Sequence, residues 1–539
     1  MGGKIKWAIV FFLILVLFYT RFINLYWGFP YPFHPDERNM AAAIQSLNCS
    51  NFKFLQDCFN PHFFAYGQFP LYLGYLFIQI FHWLIGRIFA PISFVEAVMT
   101  LRIISAISSI FAVWFMLKII KQILNQVQND SLFFPFSLII FIFSPGPIQF
   151  AHFGTTESLL MFFYTGLIYF SIKLLKDKIE LQHFILISSL FSGLAIGTKV
   201  SSLIFLLIPT VAVFWKKKFG QSLLWIFYFG VLTTAFSIIF SPQNLISFNE
   251  FISSIRYESA IATGFVEVFY TRQFLNSVPI IFQFTRIFPY VLGLPVLILF
   301  IAGFFILPYK KEINLLRLSF LVYFLPTSFL YTKWTRFMAP VVPLMLIIAA
   351  LTVYQILNQV QNDKRQLFTV AFLFLTFIFV IPGIAFLSVY TNPDVRFIAS
   401  EWMYKNIPSN TIILSETGNV VDLPIGFPGN YDHISFNFYG LDQNHDLQVE
   451  LDQYLKKADY VLIPSRRIFM NHSKQKYPLL NNYYDKLFSE KLGFKKVAEF
   501  NSYPKISLFG KNLLEFPDEQ AEETFSVFDH PVIRIYKKT

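Results

Sequence analysis

Charge is what this sequence has least of. Asp, Glu, Lys and Arg make up 14% of its 539 residues, where a soluble chain usually carries about 25%. That shortage excludes an ordinary water-soluble fold for most of the chain. None of the apolar runs has an acidic residue at its centre, which argues against a transporter built on charged groups within its helices. The first apolar run is followed by no small-x-small cleavage site, so it is expected to be retained as a helix. No His, Cys, Asp or Glu spacing resembles a closed metal site. The chain has two cysteines, a count that by itself says little about redox compartment.

What is abundant is apolar and aromatic. Hydrophobic residues are 55% of the chain, aromatic residues 19%, and there are 70 Phe. A bilayer core about 30 Å thick needs roughly 20 apolar residues per helix. Segments of that kind lie near 7–26, 100–121, 132–150, 157–174, 183–198, 201–214, 222–240, 286–307, 317–331, 337–353 and 368–390. The expectation is an α-helical polytopic membrane protein with about eleven transmembrane helices. The formal charge of +11 invites a nucleic-acid partner, but its placement argues against one. Lys216, Lys217 and Lys218, then Lys310 and Lys311, then Lys364 and Arg365 sit in short loops between apolar runs. The positive-inside rule puts those loops, and the N-terminus, in the cytoplasm. A further apolar segment, 71–90, would invert every later loop if it crossed, so it is expected to lie along the outer leaflet. Membrane lipids are therefore partners and nucleic acid is not.

Composition changes near residue 390. The expected division is 1–390 as the membrane domain, with a first outer loop over 27–99, and 391–539 as a soluble domain placed outside by the odd number of crossings. Thr411–Leu414, Tyr460–Ile463, Lys505–Phe509 and Val532–Tyr536 read as strands, and Asp394–Tyr404 and Leu447–Lys457 as helices, which together make a C-terminal α/β domain. The nonapeptide QILNQVQND occurs at 122–130 and again at 355–363. Both copies fall in expected cytoplasmic loops, where an insertion is tolerated, so both are expected to be dispensable.

Candidate chemistry gathers in the outer loops. After the first span comes His34-Pro35-Asp36-Glu37. Proline suits the first helical position and the two acids its first turn. Met40, Ala43, Ile44 and Leu47 then form one apolar stripe. Carboxylates at a helix N-terminus are held ionised by the helix dipole, and an ionised carboxylate can act as a general base; plain helix capping explains the same residues. Arg102, Glu157, Lys199 and Arg336 fall on the same side. Cations suit a lipid phosphate and a carboxylate suits an acceptor, while interfacial snorkelling is the alternative. Cys49 and Cys58 share the first outer loop. On an oxidising face they are expected to pair and to close a small loop after the Asp36 helix.

These stretches resemble the protein O-mannosyltransferase and aminoarabinose transferase superfamily, glycosyltransferases of the GT-C type. His34-Pro35-Asp36-Glu37 resembles its first-loop acidic motif, and Tyr66-Gly67-Gln68-Phe69-Pro70-Leu71 its Pro-Leu segment. Leu101-Arg102-Ile103 resembles its arginine motif, Gly193 to Lys199 its Gly-x-Ala-x-x-Thr-Lys pattern, and Arg336 to Pro343 its late arginine and paired prolines. Ala399-Ser400-Glu401-Trp402 and Phe528-Asp529-His530-Pro531 are similar to bacterial members. The resemblance implies transfer of a sugar from a polyprenyl-phosphate donor to a lipid, glycan or protein hydroxyl at the plasma (inner) membrane. Asp36 and Glu37 would be catalytic, with Asp36 the base, and Arg102, Lys199 and Arg336 would bind the donor phosphate. Glu157 and His152 would serve the acceptor or a divalent metal ion; no other cofactor is implied. A lipid-linked-glycan flippase and a polysaccharide polymerase stay open as alternatives.

Overall fold

The computed structural model describes residues 3–47, 58–87, 90–124, 133–359, 365–418, 423–424 and 431–539. Residues 125–130 and 360–363 of the repeated nonapeptide lie outside that set, as does Cys49.

The membrane part is a stack of apolar helices: α1 (Gly3–Phe22), α2 (Pro35–Ser46), α3 (Phe69–Leu84), α4 (Phe94–Leu124), α5 (Phe133–Ile142), α6 (Pro145–His152), α7 (Glu157–Leu175), α8 (Leu181–Thr198), α9 (Leu207–Lys216), α10 (Phe219–Phe240), α11 (Phe248–Thr263), α12 (Phe288–Leu292), α13 (Leu294–Ile306), α14 (Lys311–Ser328), α15 (Val342–Gln359) and α16 (Arg365–Thr391). Every expected span falls on one or more of these helices. Among the described residues, five helices are long and apolar enough to cross a membrane, or up to eight when each bent pair is taken as one span. The chain is thus a polytopic α-helical membrane protein, and among the described residues two of the expected spans, 286–307 and 132–150, are bent.

The reason is local. The expected span 286–307 is broken at Gly293, whose φ of +80° is open to glycine and strained for other residues. With Pro295 just beyond, the two helical pieces meet at 115°. The expected span 132–150 bends by 53° where Pro145 opens α6. Segment 71–90 begins within the α3 helix, which ends at Leu84. It buries Leu71, Gly74, Ile78 and His82 and leaves Leu76, Phe77, Phe81, Trp83 and Leu84 exposed.

After α16 come α17 (Val395–Asn406), β1 (Ile412–Glu416), β2 (Asp432–Phe436), α18 (His445–Lys457), β3 (Tyr460–Ile463), α19 (Pro478–Phe488), β4 (Phe494–Phe500), β5 (Lys505–Leu508), β6 (Lys511–Glu515) and β7 (Ile533–Lys538). Five strands form one sheet in the order β2-β1-β3-β7-β4. β1 runs parallel to β2 and β3, while β7 runs antiparallel to β3 and β4. The expected strand at 505 instead pairs with β6 in a separate two-stranded ribbon.

Candidate functional site

His34 caps α2 with extended backbone, Pro35 opens the helix, and Asp36 and Glu37 occupy its first turn. The stripe Met40, Ala43, Ile44 and Leu47 is buried, and its first three residues pack with Ala97, Val98 and Leu101 of α4. Consecutive residues on a helix point about 100° apart, so burying that stripe sends the two carboxylates to different surroundings.

Glu37 turns inward. Its carboxylate takes 2.6 Å and 3.3 Å hydrogen bonds from Arg102 Nε and Nη2. Arg102 Nη1 donates to the Leu25 and Trp27 carbonyls at 2.6 and 2.8 Å, and the guanidinium lies 4.5 Å from the Trp27 ring centroid. Both side chains are fully buried. Arg102, expected on a donor phosphate, here holds Glu37 in a buried ion pair. The pair fastens α2 to α4 and to the turn after α1, which takes Glu37 away from the Asp36 side as well.

Asp36 turns outward and pairs with Arg336, 300 residues away. Arg336 Nη1 also lies 3.2 Å from the Tyr66 hydroxyl, and its guanidinium is 4.6 Å from the Trp334 ring. The two ion-pair partners keep 21% and 23% of their side-chain surface exposed, so they sit at an opening rather than in the core. Lys199 joins from the other side of Tyr66, with its ammonium 5.2 Å from that ring and 5.3 Å from the Phe337 ring. Its Nζ is 3.9 Å from Glu157 Oε1, and Glu258 of α11 is near enough to act on its charge. Asp36, Tyr66, Glu157, Lys199 and Arg336 therefore form one polar cluster where several helices end.

The backbone holds this cluster. Gly67 N–H donates to the Thr198 carbonyl at 3.0 Å, and a Cβ at Gly67 would collide with the Gly197 carbonyl. Gln68 N–H donates to Ser241 Oγ, which donates to the Gly197 carbonyl, both at 3.1 Å. The Tyr66-Gly67-Gln68 segment thus lies directly on the turn that presents Lys199.

His152 does not join the cluster. Its ring nitrogens lie 2.8 Å from the Ile148 and Ile23 carbonyls, and its ring stacks on Tyr390 at 3.7 Å. Both of its nitrogens face backbone carbonyls, and Glu157 faces the Lys199 ammonium. Among the described residues, no group of three or more His, Cys, Asp or Glu is placed to hold one. Cys58 is disulfide-bonded, and Cys49, the other cysteine of the chain, lies outside the described residues.

Sequence reasoning singled out neither the Tyr66 hydroxyl nor Glu258 as a site group. It singled out Phe528 to Pro531 by resemblance but missed Glu522, on the same segment between β6 and β7, which reaches back to the helices. Glu522 Oε2 accepts the Thr335 N–H at 2.8 Å, immediately beside Arg336. His530 lies between Asp529 and Asp518 at 2.5 and 2.8 Å, and Asp529 Oδ2 accepts from Gln149 and from the Tyr390 hydroxyl at 3.0 and 2.7 Å. Burial pushes the His530 imidazole down, but the two carboxylates outweigh it and raise it to about 10.

No protein-family model matches the chain, and no curated protein does. Among solved structures, it is similar to ArnT from Cupriavidus metallidurans bound to undecaprenyl phosphate, with 12% identity and a TM-score of 0.49 over 99% of this chain and 98% of that one. It is also similar to the oligosaccharyltransferase AglB from Archaeoglobus fulgidus in complex with an inhibitory peptide and a dolichol-phosphate, with 12% identity and a TM-score of 0.48 over 89% of this chain and 72% of that one. A third likeness is to the mycobacterial arabinofuranosyltransferase AftD, with 12% identity and a TM-score of 0.39 over 100% of this chain and 42% of that one. At that identity and those scores, the functional reading rests on this chain's own side chains.

Proposed function

We propose that this chain is an integral-membrane glycosyltransferase that moves a sugar from a polyprenyl-phosphate donor to a hydroxyl acceptor on the extracytoplasmic face. Residues 1–390 form the transferase domain and 391–539 an extracytoplasmic domain, with the N-terminus in the cytoplasm of an inner-membrane protein. The observation that carries the reading is the meeting of Asp36 with Arg336, flanked by Tyr66 and Lys199, at an exposed edge of the helices. One carboxylate and two cations beside apolar helices suit an anionic lipid head and a hydroxyl nucleophile.

In this mechanism the acceptor oxygen attacks the sugar anomeric carbon from the face opposite the phosphate. The acceptor proton passes to Asp36 as the new C–O bond forms. The bond between the anomeric carbon and the phosphate oxygen breaks, and its electron pair leaves on the phosphate, whose charge Arg336 and Lys199 stabilise. Configuration at the anomeric carbon is inverted. Glu157 holds Lys199 until phosphate arrives, and Glu37 with Arg102 keeps α2 in place.

The test incubates purified protein with a panel of labelled polyprenyl-phosphate sugars. Release of polyprenyl phosphate with transfer of the label is the expected result. Failure of the protein to bind polyprenyl phosphate at all would overturn the reading.

A further inference from the structure

Residues 516–532 leave the two-stranded ribbon and return to the main sheet only at β7. Between those points the chain bridges the membrane helices and its own domain, where Glu519 pairs with Arg534 of β7 at 2.6 Å. Gln149 of α6 donates to the Phe525 carbonyl at 2.6 Å. Arg396 of α17 donates to the Phe528 carbonyl at 3.0 Å. Glu522 N–H donates to the Arg286 carbonyl at 2.8 Å. Glu523 pairs with Arg467 at 2.7 Å. The segment is thus a strap fastened at several points along its length.

Glu522 is the residue of this strap that reaches the candidate site. It is 1% exposed. Its Oε2 accepts from Thr335 N–H at 2.8 Å and from Thr524 Oγ at 2.5 Å. Its Oε1 accepts from Gln273 Nε2 at 2.8 Å and from Thr524 N–H at 3.2 Å. All four groups, from three residues, donate, which suits a carboxylate and no amide, because an amide would point its own N–H groups at donors on one side. Thr335 opens the 3₁₀ turn Thr335–Val341 that carries Arg336. Its N–H belongs to the helix-start donors that have no partner within the turn itself. The Glu522 carboxylate also lies close enough to act on the Arg336 charge.

We infer that Glu522 is a positioning residue for the phosphate-binding arginine: the C-terminal strap, through this carboxylate, sets where the Arg336 guanidinium stands. The inference rests on the proposed phosphate role of Arg336. A carboxylate that caps the turn fixes its start, and the guanidinium one residue on inherits that fix. The 391–539 region then completes the membrane site rather than merely hanging beside it.

The experiment measures binding of polyprenyl phosphate to full-length protein in lipid nanodiscs, with monodispersity and thermal melting recorded for each variant. Glu522→Gln keeps the shape but sets an amide among four donors. Thr335→Pro removes the N–H from the other side. Trp334, just before it, has φ −65° and ψ 146°, the extended backbone that a following proline requires. Each change is expected to weaken phosphate binding about tenfold. In an Arg336→Ala background neither should weaken it further, since residues acting through one group are not additive. Unchanged affinity in the folded single variants would overturn the inference. So would equal losses with and without Arg336, which mark general loosening of the fold. If Glu522→Gln does not fold, Thr335→Pro with its Arg336→Ala double decides by the same criteria. A wild-type protein that binds no polyprenyl phosphate would instead overturn the phosphate reading itself, and this inference with it.

Discussion

Replacing Asp36 by Asn is expected to have two opposite effects, because Asp36 and the donor phosphate compete for one guanidinium. In the structure Arg336 is already paired with Asp36, so an incoming phosphate must displace a carboxylate before it can bind. The two side chains are 21% and 23% exposed, a setting in which an effective dielectric of about 20 applies. Unit charges about 4 Å apart then attract by about 4 kcal/mol before desolvation is counted. Solvent screening and the rehydration of the freed carboxylate leave a net of about 0.2–1 kcal/mol. The Asn variant, with no charge to displace, should therefore bind polyprenyl phosphate about 1.4- to 5-fold more tightly. It should also lose transfer by about 10²- to 10⁴-fold for want of a base. Titration with polyprenyl phosphate measures the first effect and label transfer from the donor the second. Equal or weaker phosphate binding would refute the shared guanidinium, and transfer above about a tenth of wild type would refute Asp36 as the base.

Lys199→Ala should weaken phosphate binding by about 1.5–3 kcal/mol, as loss of a charge-assisted contact does; unchanged affinity would remove Lys199 from the donor site. Gly67→Ala drives a methyl into the Gly197 carbonyl and should cost about 1–3 kcal/mol of stability, read as a lower melting temperature together with weaker phosphate binding. His530 is raised from 6.5 to about 10 by Asp518 and Asp529 against the pull of burial. Its contribution to stability is thus complete below the unfolded value of 6.5 and is lost as pH rises through about 10. The difference in melting temperature between wild type and His530→Gln should shrink across that window, and a constant difference would refute the charged imidazole. Deletion of 355–363 should leave transfer near normal, and loss of transfer at normal expression would mark the repeat as functional.

Local signals were legible in the sequence and distant pairings were not. The start of α2 could be placed from Pro35, the two acids and the stripe that follows, because capping and amphipathic spacing act over a few residues. Which of the two acids faces Arg336 could not. It depends on the stripe packing against α4 and on Arg102 lying behind Glu37, a contact between residues 65 apart. His152 and Glu157 share a short loop, but His152 turns to the carbonyls of Ile23 and Ile148 and Glu157 to Lys199, partners the local sequence does not reveal. The bend at Gly293 was hidden because an apolar run reads as continuous whatever its backbone dihedrals. β2 and β4 escaped notice for a related reason. They lie at the two edges of the sheet, where about half of each strand is exposed and apolar alternation is weak. Glu522 had no marker at all, since its meaning comes from four donors on the strap and on two distant segments.

The strap has a consequence for the order in which the molecule becomes complete. A chain made from its N-terminus has all of the helices from α1 to α16 before residue 518 exists. During that interval Thr335 N–H lacks its carboxylate acceptor, and Gln149 and Tyr390 lack Asp529. The parts that carry Asp36, Lys199 and Arg336 are therefore made before the strap that braces them, and β7, which sits between β3 and β4, is made after it.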